Sequence, residues 1–247
     1  MTIVIGVICK EGVVIGSDSS ATFIAGAGNL NIHTVEQKIK KVTVIDNNKV
    51  MCGSGEVALS QRFEQIISRY WLNSDLTNKS DIDITVDLYQ STSRDFQLTN
   101  SNFNQFCACL AFFHNDSFSL CEFPLKTFLP ELKSESLWYV SMGSGQIITD
   151  PFLGFVRKIF WNDKQPCLND GIFGTIWALN HAIEVNPGGI GAPVQIGILD
   201  NNTKSARLLS DSELEEHIEC VSDFENHIRR YRREIFSTPT KEIPKVT

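Results

Sequence analysis

Apolar and β-branched residues run almost unbroken from position 2 to 9 and again from 13 to 17, parted by Lys10-Glu11-Gly12. That pattern predicts a buried strand, a tight turn and a second strand. The same grammar returns in KVTVID (41–46), the turn Asn47-Asn48 and KVMC (49–52), a second hairpin. Between the two, Ile24 to Thr34 is rich in Gly, Ala and Asn without periodicity and reads as a surface loop. After Gly53-Ser54-Gly55, the residues Val57, Leu59, Phe63, Ile66, Ile67 and Tyr70 recur at helical spacing and predict a helix over 57–71. A weaker helical pattern covers 86–98.

Phe106–Phe113 and Ser117–Glu122 then read as strands joined by His114-Asn115-Asp116, and Leu137–Met142 as another ending at Gly143-Ser144-Gly145. Helices follow over 151–160 and 171–185, then the breaker Asn186-Pro187-Gly188-Gly189 and a strand over 194–199. Runs of strands alternating with runs of helices imply stacked sheets with helices outside, a layered α+β domain over 2–210. Glu213 to Phe236 differs. Leu214, Ile218, Val221, Phe224, Ile228, Tyr231 and Ile235 stand three or four apart among charges, an amphipathic helix of about six turns. Its stripe is read either as packing on its own domain or as a subunit contact. The tail 237–247, with two prolines and no periodicity, reads as disordered.

Composition narrows the function classes. A net charge of −7 offers no basic footprint for nucleic acid or an anionic membrane. Seven cysteines, an odd number without CxxC spacing, read as reduced thiols in the cytoplasm, and Cys107-Ala108-Cys109 as alternation on a buried strand, not a metal pair. The five histidines show no HExxH or other ligand spacing, so neither a metal nor a cofactor is expected. IVIGVI lacks a basic region before it and is interrupted at Lys10, so no secretory leader is read, and no stretch approaches the ~20 apolar residues of a membrane span.

The chemistry starts at position 2. Initiator methionine is normally trimmed ahead of a small residue, so Thr2 is expected to become the first residue. A terminal threonine joins a hydroxyl nucleophile to an α-amine of reference pKa ~7.7–8.0, a base near neutral pH. A nearby positive charge would help keep that amine unprotonated, and a buried lysine doing so needs a carboxylate partner. Asp18 follows the strand 13–17 and Lys40-Lys41 precedes the strand from Val42, so both charges lie at strand ends beside the first strand.

TIVIGVICKEGVVIGSDSSAT resembles the start of mature proteasome β subunits and their bacterial HslV-type relatives, in which a terminal Thr, a Gly-turn hairpin and Asp-Ser-x-Ala-Thr share this spacing. KKV at 40–42, CGSG at 52–55 and the turn Gly143-Ser144-Gly145 continue the likeness. The resemblance implies a four-layer αββα sandwich, the fold of N-terminal-nucleophile hydrolases. It implies Thr2 as nucleophile, Asp18 as carboxylate, Lys41 as the tuning lysine, Ser144 as support for the terminal amine and the Gly55 N–H as oxyanion donor. The family's acidic residue ahead of a Ser-Gly-Gly turn is matched by Glu184 in Glu184-Val185-Asn186-Pro187-Gly188-Gly189, where Pro187 replaces a hydroxyl.

The activity so implied is cleavage of peptide bonds through a threonyl ester. The expected substrate is a peptide or unfolded protein, with self-assembly and an ATPase unfoldase as the partners the resemblance brings. Two rivals share the fold: a transpeptidase or ligase in which an amine resolves the ester, and a catalytically inactive assembly subunit.

Overall fold

The computed structural model describes residues 2–25, 33–186 and 189–237. Met1, the centre of the expected surface loop (26–32), Pro187-Gly188 of the breaker and residues 238–247 of the tail lie outside them. The chain divides into two compact units, the first ending at Leu209 and the second beginning at Ser210.

The first unit opens with β1 (Ile3–Cys9) and β2 (Gly12–Ser17), followed by β3 (Ser20–Ala25), β4 (His33–Lys38), β5 (Val42–Ile45) and β6 (Lys49–Gly55). Two helices, α1 (Val57–Asn73) and α2 (Asp81–Leu98), lead through a short 3-10 turn to β7 (Phe106–His114), β8 (Ser117–Phe123), the two-residue β9 (Glu131–Leu132) and β10 (Tyr139–Gly143). Then come α3 (Gln146–Ile159), α4 (Leu168–Val185), β11 (Gln195–Asp200) and β12 (Ser205–Leu208).

The strands form two five-stranded sheets, in the orders β10-β1-β2-β11-β12 and β5-β6-β7-β8-β9, with β3 and β4 pairing as a separate hairpin. Every strand pairing among the described residues is antiparallel. Between the sheets lies one core, in which Val4, Ile8 and Ile15 face Val50, Cys109 and Leu120. A second core, with Phe63, Leu88, Phe106, Leu110 and Phe112, joins the outer face of the second sheet to α1 and α2. On the opposite side α4 covers β1 and β2, and α3 packs on β10. The result is a four-layer αββα sandwich.

This layering explains the unbroken apolar runs. Strand β1 is central in its sheet and covered on both faces, so all seven of its residues are buried and no position alternates to solvent. Each fully buried Val or Ile there contributes roughly 1.5–3 kcal/mol. Strand β7 behaves likewise except at half-buried Phe113. Its Cys107 and Cys109 point into the inter-sheet core while Phe106, Ala108 and Leu110 point to the helices, the alternation the sequence suggested. All seven cysteines are free thiols.

Three expectations need correction. Ile24-Ala25 and His33-Thr34 belong to the β3–β4 hairpin and not to a loop. Helix α3 begins at Gln146, so Pro151 lies inside it as its sixth residue and does not start it; a proline there has no N–H to give to the carbonyl four residues back, at Ile147, yet the helix runs on to Ile159. Helix α2 begins at Asp81, five residues before the apolar pattern, because Ser80 and Asp83 form a capping box.

In the second unit, α5 (Asp211–Ser237) is one helix of 27 residues. Its last residues carry exposed Ile228, Tyr231 and Phe236. Among the described residues no helix is long and apolar enough to cross a membrane.

Candidate active site

Thr2 immediately precedes β1, and the pairing of β1 with β10 brings it to the turn that follows β10. Ile3 stands opposite Gly143. The Thr2 backbone nitrogen donates to Ser144 Oγ at 3.1 Å, and Gly145 N–H points to the Thr2 carbonyl at 3.4 Å. Gly143 has φ +90°, and a Cβ there would stand 2.2 Å from the Thr2 carbonyl oxygen. Only glycine both tolerates that left-handed backbone and permits the approach.

On the other flank of β1, β2 ends at Ser17 and delivers Asp18. The carboxylate is fully buried, yet its oxygens are well supplied with donors. Oδ1 accepts from Ile3 N–H at 3.0 Å and from the Lys41 ammonium at 2.7 Å. Oδ2 accepts from Ser20 N–H at 3.0 Å and Gly191 N–H at 3.3 Å. A buried carboxylate demands such partners, since an unpaired one would cost several kcal/mol or give up its charge.

Lys41 arrives from the second sheet, just ahead of β5. Its Nζ, almost fully buried, also donates to Thr2 Oγ1 at 3.1 Å. Thr2, Asp18, Lys41 and Ser144, separated by up to 142 residues, thus meet in one bonded cluster: Ser144 at the Thr2 backbone, Lys41 at its hydroxyl, and Asp18 on Lys41. Lys40 is exposed.

A cavity of about 240 Å³ opens beside this cluster, with Thr2, Lys41, Gly55, Ile39, Val57 and Glu64 among its lining residues. Gly55, with φ +118°, closes β6 immediately before α1. The N-terminal end of that helix therefore adjoins the cavity, and its dipole favours negative charge there. Cys52, fully buried, has its thiol pushed up to about 12 by burial. It stays neutral and does not compete as a nucleophile.

The proteasome subunit family model matches residues 2–152. The chain belongs to the proteasome subunit family. Among solved structures it is similar to Anbu (ancestral β-subunit) from Yersinia bercovieri, with a TM-score of 0.68 and 13% identity over 98% of this chain and 99% of that one. It is similar also to an Anbu (Gly-1) mutant from Hyphomicrobium sp. strain MC1, with a TM-score of 0.70 and 12% identity over 98% of this chain and all of that one. At such identities the likeness is one of fold. No curated protein matches significantly by sequence.

Against the family pattern, Glu184 stands apart. Its side chain is exposed in the last turn of α4 and makes no hydrogen bond or ion pair among the described residues. Other groups at the site have no signal in the sequence: the amides of Ser20 and Gly191 on Asp18, and the Ser17 hydroxyl, which donates to the Ile3 carbonyl at 2.7 Å. Backbone amides carry no residue-type signature, and Gly191 comes from a segment 173 positions away from Asp18.

Proposed function

We propose that this chain is an N-terminal threonine peptidase, a β-type proteasome subunit that works within a homo-oligomer. The observation that carries the reading is the Lys41 ammonium, 3.1 Å from Thr2 Oγ1 and 2.7 Å from buried Asp18. A hydroxyl that accepts from a buried cation is stabilised as it loses its proton.

Removal of Met1 turns the Thr2 nitrogen, 3.1 Å from Ser144 Oγ, into an α-amine. That amine takes the hydroxyl proton as Oγ1 bonds the scissile carbonyl carbon. The tetrahedral oxyanion is held by the Gly55 N–H, two residues ahead of α1. As the C–N bond breaks, the amine passes its proton to the departing amino group. Water then attacks the ester, the amine accepts its proton, and Thr2 Oγ1 recovers it as the acid product leaves. The cavity beside Gly55 receives the side chain of the residue whose carbonyl is attacked. Confinement of this site inside an assembly would keep folded proteins out, and an ATPase unfoldase would supply unfolded ones.

Incubation with a peptide epoxyketone, which needs the hydroxyl and the free amine of one residue to close its ring, tests the reading by intact mass. The expected result is one adduct per chain lacking Met1, and none on Thr2→Ala. Quantitative retention of Met1 with no adduct and no peptide hydrolysis would overturn it.

A further inference from the structure

Gln195, the first residue of β11, uses both ends of its side-chain amide on the segment that carries Lys41 and spends one further bond on Ser19. Oε1 accepts from the backbone N–H of Lys41 at 2.9 Å and of Val42 at 3.2 Å. Nε2 donates to the Ile39 carbonyl at 2.7 Å and to Ser19 Oγ at 2.7 Å. Only this orientation matches donors to acceptors; the flipped amide would set its NH2 against two N–H groups.

The segment Ile39 to Lys41 belongs to no strand, so its backbone groups have no sheet partner in the ordinary sense. Such groups need partners when they are withdrawn from water. Gln195 supplies them in the place of a strand. It also ties this segment to the turn after Asp18: Ile39 N–H donates to the Ser19 carbonyl at 2.9 Å, and Ser19 N–H donates to the Gly191 carbonyl at 2.9 Å. The Ser19 hydroxyl in turn donates to the Pro193 carbonyl at 2.5 Å. Strand β11 pairs with β2 so that Gln195 lies opposite Ser17, one residue from Asp18.

We infer that Gln195 is a positioning residue: it fixes the backbone from which the Lys41 ammonium spans Asp18 and Thr2 Oγ1. A lysine has four rotatable side-chain bonds, so an ammonium held in one place requires a fixed point of origin. Loss of the clamp lets residues 39–41 drift, and displacements of about 1 Å in catalytic groups cost up to roughly 100-fold in rate. The kinetic part of this inference rests on the peptidase reading; the structural part does not.

Two variants test it. Gln195→Leu removes all four bonds, while Gln195→Glu keeps the shape and both acceptor contacts but turns a carboxylate oxygen toward the Ile39 carbonyl and adds negative charge near the site. Both are compared with the wild type by circular dichroism, by kcat and KM for a fluorogenic peptide across pH, and by NMR of the Lys41 side-chain ammonium, assigned with Lys41→Arg. The expected result for folded Gln195→Leu is a shifted Lys41 resonance and a kcat lowered roughly 10- to 100-fold with KM nearly unchanged. In Gln195→Glu the added charge favours the protonated terminal amine, so the rising limb of kcat/KM moves to higher pH.

If Gln195→Leu does not fold, the isosteric Gln195→Glu carries both readouts. An unmoved Lys41 resonance in a folded variant overturns the inference, as does a variant whose only change is a lower Tm, with kcat and the pH limb intact. A wild-type chain that never hydrolyses peptide, but whose Lys41 resonance moves in the variants, supports the clamp and sinks the peptidase reading alone.

Discussion

Lys41 and Asp18 meet at 2.7 Å across the boundary between the two sheets. Asp18 follows β2 of the first sheet and Lys41 precedes β5 of the second, so the ion pair exists only when the sheets have stacked. Their side chains are 0% and 4% exposed, which removes the solvent screening that makes surface pairs nearly worthless. The nucleophile's environment is therefore a product of the fold's inter-sheet packing and not of any local motif.

Thr2→Ala is expected to abolish peptide hydrolysis while leaving the circular dichroism spectrum and Tm close to those of the wild type. The lost hydroxyl is half-buried and accepts from the Lys41 ammonium, which keeps its bond to Asp18. Thr2→Ser should keep part of the turnover. Full turnover by Thr2→Ala sinks the terminal-nucleophile reading.

Lys41→Ala should lose activity at least about 100-fold and stability as well. It strands a fully buried carboxylate, a change that costs roughly 3–5 kcal/mol and lowers Tm by about 6–20 °C in a chain of this size. Lys41→Arg preserves the charge and more of the Tm but not the turnover, because a planar guanidinium does not replace a compact ammonium between two oxygens. Exposed Lys40→Ala is the control. Kinetics and thermal melts on the three variants decide, and a silent Lys41→Ala would refute the assignment.

Strands β1, β2 and β7 were legible in the sequence because burial on both faces leaves apolar runs with no competing reading. Strands β3 and β4 were not, since SATFIA and HTVEQK mix polar and apolar residues and their pairing is a matter of backbone. Strand β12, only four residues long, offered too short a pattern. At the site, Thr2, Asp18, Lys41 and Ser144 were named by the resemblance to proteasome β subunits, and the fold brings the four together. Gln195 was not, because a lone glutamine at the start of a strand has no signature until the fold sets it against residues 154 and 156 positions away.

Gly143→Ala should place Thr2 wrongly without changing any reactive group. A Cβ would meet the Thr2 carbonyl oxygen at 2.2 Å and Ser54 Oγ at 3.0 Å, on a backbone at φ +90°. Backbone strain of this kind costs on the order of 1–3 kcal/mol, a Tm loss of roughly 2–12 °C. The variant should remain folded but lose at least about tenfold in kcat, since the terminal residue moves relative to Ser144 and Lys41. Wild-type kcat in Gly143→Ala would show that the tight approach of this turn to Thr2 does not matter.

Lys49→Met is expected to leave the protein as stable as the wild type or make it more so. Lys49 is 1% exposed in β6, its Nζ 3.2 Å from Asp46, 2.6 Å from Asn48 Oδ1 and 4.9 Å from the Trp71 ring centroid. Burial lowers its pKa, and the hydrogen bond and charge of Asp46 offset that only in part. Asp46 is itself 60% exposed, so it loses little when the ammonium goes. Replacing a buried ion by an apolar side chain of similar volume is often neutral or stabilising by about 1–4 kcal/mol. The pH dependence follows from the sign. Because the folded pKa lies below the unfolded one, near ~10.4, the charged lysine weakens the fold fully at pH values below the folded pKa. As pH rises through that window the folded state releases its proton first, and the wild type gains stability that Lys49→Met cannot. The advantage of Lys49→Met should therefore be largest near pH 7 and shrink toward pH 10, read from urea unfolding of both proteins at each pH. An advantage that grows with pH, or a Lys49→Met chain several degrees less stable at pH 7, would show that Asp46 and Trp71 outweigh the desolvation of the ammonium.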